Sequence, residues 1–183
     1  MRTLYYVPMI HSLEELGSLT KNVKINLAEM SRNKDLKEYW DEVRRRLRKE
    51  GLYGPKSRRL HIFVDGLPNV DEDTVRKVAD DLIASGTSHV YRTIADLQKH
   101  GAVVHGTENL RLMIEEYEYF KGLTDGVYGN AELSAARLIA RDTAIAVRIQ
   151  EVMTDEDDIG ILFAGLAHDI VRKLPKEFVV VVL

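Results

Sequence analysis

Four polar residues stand where short apolar runs stop: His11 after residues 4–10, Asp65 near the end of 59–67, Glu108 beyond 102–105, and His168 beyond 159–164. Two imidazoles and two carboxylates are a donor set suited to a divalent metal held by nitrogen and oxygen, or to general acid–base work without one. With no cysteine in the chain, thiolate metal sites, disulfides and a cysteine nucleophile are excluded. Arg141 and Asp142 add a charged pair inside a long helical pattern. If Arg141 faces the four residues, its forked guanidinium suits a substrate carboxylate or phosphate; if it faces outward, it is a solvated helix edge. Gly165, just past an apolar run, lets backbone and ligand approach closely. His61, His89, His100 and His105 fall at a strand start, at helix ends and beside a glycine, and are weaker site candidates.

Only elements of particular kinds bring such residues together. Residues 4–10 (LYYVPMI), 59–67 (RLHIFVDGL), 102–105 (AVVH), 159–164 (IGILFA) and 178–183 (FVVVVL) are short and continuously apolar, the pattern of strands covered on both faces. Pro8 has no N–H to give a ladder, so a bulge or an edge is expected near the end of the first strand. Between these runs, helical spacing marks 34–50, 71–84, 90–99, 110–120 and 132–153. In 34–50, Leu36, Trp40, Val43 and Leu47 share one face, and the arginine run from Arg44 is expected on the exposed side. In the last helix Leu138, Ile145, Ile149 and Val152 share a face. The stretch LTDGVYGN is rich in glycine and reads as a loop, with the composition of a mobile lid.

Strands alternating with helices predict an α/β fold: a mostly parallel sheet of about five strands with helices on both faces, in a single domain spanning 1–183. Ligands in such sheets bind beyond the carboxyl ends of the strands, where His11, Asp65, Glu108 and His168 should leave the sheet. The 183 residues, 45% apolar and 30% charged, suit one core that buries roughly 70% of the unfolded surface. A net charge of -3 carries no overall nucleic-acid signature, so no nucleic-acid partner is expected. No export signal and no run of 18 apolar residues is visible, which gives a cytoplasmic expectation with no membrane association. The phosphate-cradling G-x-G-x-x-G and G-x-x-x-x-G-K-[ST] patterns are absent, as is the G-x-S-x-G nucleophile elbow.

The order of motifs resembles the TraB/Tiki and erythromycin-esterase/ChaN-like superfamily. Gly165-Leu166-Ala167-His168 matches its second G-x-x-H, Arg141-Asp142 its helix pair, and Gly106-Thr107-Glu108 its acidic strand end. The first G-x-x-H is altered: Pro8-Met9-Ile10-His11 has proline where glycine is expected, and proline cannot adopt the positive φ open to glycine. The resemblance implies a pocket of His11, Glu108 and His168, with Asp65 orienting the site, Arg141 and Gly165 facing substrate, and a divalent ion such as Mn, Zn or Co on His11, Glu108 and His168. The corresponding expectation is a hydrolase, possible with or without a metal, acting on a small-molecule or peptide ligand. The alternative is a binding or regulatory domain with the same pocket and no turnover. Six apolar residues in 178–183 predict burial within the sheet or at a homodimer contact.

Overall fold

A computed structural model describes residues 1–9, 33–54, 58–84, 88–124 and 130–183. Strand β1 (Arg2–Met9) leads to α1 (Asn33–Lys49), and β2 (Leu60–Pro68) to α2 (Glu72–Ala84) and α3 (His89–Gln98). Then follow β3 (Val103–Glu108), α4 (Leu110–Thr124), α5 (Ala131–Val152), β4 (Ile159–Gly165), a 3-10 turn (Val171–Lys173) and β5 (Phe178–Val182). The five strands form one sheet in the order β3-β2-β4-β1-β5, and every pairing is parallel.

The alternation of side chains along each strand divides the apolar residues between two layers. Tyr5, Val7 and Met9 of β1, Ile62 and Val64 of β2, and Ile161 and Phe163 of β4 pack with Trp40, Val43 and Leu47 of α1 and with residues of α2 and α3. Leu4, Phe63, Leu162 and Ala164 face the other way, onto Ile145, Ala146 and Ile149 of α5. Because both faces are covered, the strands read as continuous apolar runs. Connections running from β1 to β2 to β3 carry their helices on the first face, and the connection from β3 to β4 carries α5 on the second. The chain leaving β4 also turns to the second face, where Ile170 packs with Ile145 and Ile149, so neighbouring strands β2 and β4 send their chains to opposite faces, which opens a crevice beyond their carboxyl ends.

At that point β2 leaves the regular ladder. Its pairing with β4 ends at Val64–Phe163, and its register on β3 shifts between Val64 and Pro68. Gly66 takes the turn with φ +82°, a conformation glycine adopts without strain. Gly106 permits the return: a Cβ there would lie 1.9 Å from the carbonyl oxygen of Pro68. The third strand accordingly runs through Gly106 and Thr107 to Glu108 instead of stopping at His105.

Other expectations are refined. Trp40, Val43 and Leu47 are buried, but Arg44 is not exposed with its neighbours. Its side chain is only 16% exposed and donates to the Thr93 hydroxyl of α3, while its aliphatic stem covers the rim of the core. Pro8 sits in an interior strand without a bulge. The main-chain groups of Tyr6 face β5, whose Leu183 N–H donates to the Tyr6 carbonyl; by the two-residue period, the Pro8 nitrogen faces the same side, beyond the last paired residue, Val182. The Pro8 carbonyl is taken by the Tyr39 hydroxyl. Strand β5 is an edge, with Phe178 buried and Val182 exposed. Among the described residues, no helix is long and apolar enough to cross a membrane.

Candidate functional site

Five of the residues marked by sequence, Asp65, Glu108, Arg141, Gly165 and His168, meet at the carboxyl edge of the sheet. The departure of β2 from the ladder turns Asp65 toward the end of β4, where its Oδ2 accepts from the Gly165 N–H at 3.2 Å. Glu108, the last residue of β3, is fully buried and faces α5. There Arg141 donates to it through Nη2 at 2.5 Å and Nε at 3.2 Å, the two-pronged geometry available to a guanidinium. The same Nη2 reaches Asp65 Oδ1 at 3.0 Å. His168, three residues beyond Gly165, places Nε2 3.0 Å from Asp65 Oδ2 and Nδ1 2.5 Å from Asp142 Oδ1. Asp142 is fixed in turn by the Asp169 N–H at 2.9 Å.

The result is a chain of alternating charge from Glu108 through Arg141, Asp65 and His168 to Asp142. Burial alone would drive the His168 proton off, but the hydrogen bonds and charges of Asp65 and Asp142 outweigh it and raise the imidazole above its ordinary 6.5. Burial also works against ionisation of Asp65, yet the His168 hydrogen bond and the Arg141 charge hold that carboxyl well below the usual range. Glu108 goes the other way: burial, helped by the adjacent Asp65 charge, raises it despite the Arg141 contact. Of two carboxylates sharing one guanidinium, Glu108 is the one that takes up a proton first. Tyr6, raised by burial and by Asp65 and Asp142, places a neutral phenol near the same group.

His11 lies outside the described residues, as does most of the LTDGVYGN loop. Among the described residues, no group of three His, Asp or Glu side chains could hold a metal ion. The chemistry of the donors explains this. Both ring nitrogens of His168 are engaged by carboxylates, and the cation between Glu108 and Asp65 is the Arg141 guanidinium. The described donors therefore do not fit a divalent ion in this arrangement.

Asp142 was marked by sequence only as the partner of Arg141 in a charged pair, with no role of its own. Its adjacency to Arg141 was visible; its contact with His168 was not, because helical neighbours one residue apart point about 100° apart. A second polar cluster was also missed. His61 Nδ1 lies 3.0 Å from His105 Nε2, and His61 Nε2 lies 3.4 Å from Asp158 Oδ1, all three residues being buried. Burial, the neighbouring His61 and the Arg148 charge lower His105 to about 4. The available signal was strand alternation, which puts His61 and His105 on the α5 face together with Phe63.

Set against known proteins, the chain matches no family model, no curated protein and no solved structure. Fold and site define an α/β protein with a parallel five-stranded sheet and a buried carboxylate–histidine–arginine chain at its carboxyl edge.

Proposed function

We propose that the protein is a hydrolase that works by acid–base chemistry at this strand edge. The observation that carries the reading is the His168 imidazole held between Asp142 and Asp65. Asp142 fixes the ring through Nδ1, so Nε2 is the position from which a proton is given and regained, the division of labour of a histidine–carboxylate dyad. Asp65, which accepts from Arg141 through Oδ1, orients an attacking water and takes its proton. His168 protonates the leaving group, and the proton lost by water returns to it through Asp65, which touches it directly. Arg141 offers charge to an oxyanion as it develops. The resemblance to the TraB/Tiki and erythromycin-esterase/ChaN-like superfamily supports the same residues.

The test is turnover of a panel of chromogenic carboxylic esters, phosphate esters and peptide amides by wild type, His168→Gln and Asp142→Asn. The reading expects hydrolysis of at least one class, retained after chelator treatment and reduced about 10²-fold or more in His168→Gln. Hydrolysis undiminished in His168→Gln, or absent throughout the panel, overturns it.

A second reading, a small-molecule- or peptide-binding domain without turnover, is favoured by the closure of the array: both His168 nitrogens are already bonded within the protein. The outer side of β5, the sheet edge, supports a homodimer formed there.

A further inference from the structure

Beside the acid–base array, the same sheet edge carries a cavity that the array does not use. It has a volume of about 380 Å³, and its walls include Thr107 and Asn109 at the end of β3, Leu110 and Arg111 at the start of α4, and Val147 and Arg148 of α5. Neither Glu108 nor Arg141 is among its lining residues, so it is separate from the acid–base array. It starts at the carboxyl end of β3 and continues along α5 as far as Glu151, and its size falls in the range of small-molecule sites.

The polar groups of this cavity are unevenly matched. The Arg148 Nε is buried with no hydrogen-bond partner, although buried donors are normally satisfied. Its Nη1 makes one long contact, 3.4 Å, to Glu151, the one carboxylate among the lining residues, and this contact partly offsets the Arg148 charge. The Arg148 charge is also felt at His105, where it opposes protonation. Arg111 gives its Nε to Glu115 at 2.8 Å, with its side chain 86% exposed. The first N–H groups of α4 are held by Asn109, whose Oδ1 accepts from Arg111 and Leu112, so any anion here must be met mainly by the guanidinium groups. Leu110 and Val147 are each about half exposed and supply an apolar wall.

We propose that this cavity binds an organic anion, its oxyanion group on Arg148 and Arg111 and its apolar body against Leu110 and Val147. Phosphate and carboxylate share the chemistry these residues recognise. That the bound anion is also the substrate rests on the hydrolase reading; that it binds does not.

The experiment titrates inorganic phosphate and, separately, acetate into the full chain and follows the melting temperature, with sodium chloride at matched ionic strength as reference. Wild type is expected to be stabilised by at least one of the two anions beyond the salt reference, and the preferred anion distinguishes a phosphate from a carboxylate ligand. Arg148→Gln should raise that anion's dissociation constant about tenfold or more. Arg111→Gln, at an exposed position that the fold tolerates, should weaken binding by several-fold. Arg45→Gln, on α1 at the opposite face, should leave it unchanged. His168→Gln should bind the anion like wild type, which separates this site from the failure of the hydrolase reading. No stabilisation beyond salt by either anion, or equal stabilisation in wild type and both cavity variants, overturns the proposal.

Discussion

Asp142 and Asp65 compete for one imidazole, and removing either changes how firmly His168 keeps its proton. Asp142→Asn keeps the shape and removes one of the two charges that raise His168, so the His168 pKa should fall, as an NMR titration of its ring protons would record. Arg141 presents the converse case. Its guanidinium lies between Glu108 and Asp65 at 2.5 and 3.0 Å, and Arg141→Met leaves two buried carboxylates facing each other. Denaturant unfolding should show a loss of about 3–5 kcal/mol, the usual cost of removing one partner of a buried pair, with partial recovery on acidification as Glu108 takes a proton. Asp65, Glu108 and His168 were legible because polar residues after apolar runs must leave a parallel sheet at one edge, whereas the side that Arg141 faces was left open by the helical pattern. Which carboxylate reaches which cation was not legible, since that depends on a rotation of α5 that no spacing within the helix fixes.

At the scale of elements, the site exists because β2 abandons its ladder after Val64 and lies against β3 again only at Pro68. Two glycines make this possible by different means, and they should answer differently to the same substitution. Gly66→Ala adds a methyl in open space on a backbone with φ +82° and should cost about 1–2 kcal/mol. Gly106→Ala puts a Cβ 1.9 Å from the Pro68 carbonyl oxygen and 2.6 Å from its carbon; backbone must move, so the loss of melting temperature should exceed that of Gly66→Ala, and the Asp65 contact to Gly165 should loosen with it. The strands and helices themselves could be read from the sequence because burial on both faces gives continuous apolar runs and the helices keep their period. The bulge could not, since Asp65-Gly66 reads equally well as a strand end. The exposure assigned to Arg44 failed for a related reason: a helical period places a side chain on a flank but does not say whether a neighbouring helix, here α3 with Thr93, covers that flank.

For the whole molecule, two histidines set opposite limits on pH. His168 has a folded pKa above 6.5, so its contribution to stability is complete below 6.5 and is lost as pH rises through the folded value. His105, lowered from 6.5 to about 4, contributes fully above 6.5 and loses that contribution as pH falls toward 4. Together they predict a stability maximum near neutrality; denaturant melts across pH should show His168→Gln flattening only the alkaline limb and His105→Phe only the acid one. The strand order has a consequence of another kind. β1 precedes the other four strands along the chain, yet its two neighbours are β4 and β5, and Thr3 finds Ile159 only after roughly 150 further residues have been added. At ordinary ribosomal rates of about 5–20 residues per second, the apolar stretch LYYVPM waits many seconds without a partner, while β2, β3 and their helices can already assemble. The nascent chain thus carries β1 without its sheet partners through most of its synthesis, and the sheet can be completed only once β4 and β5 have been made.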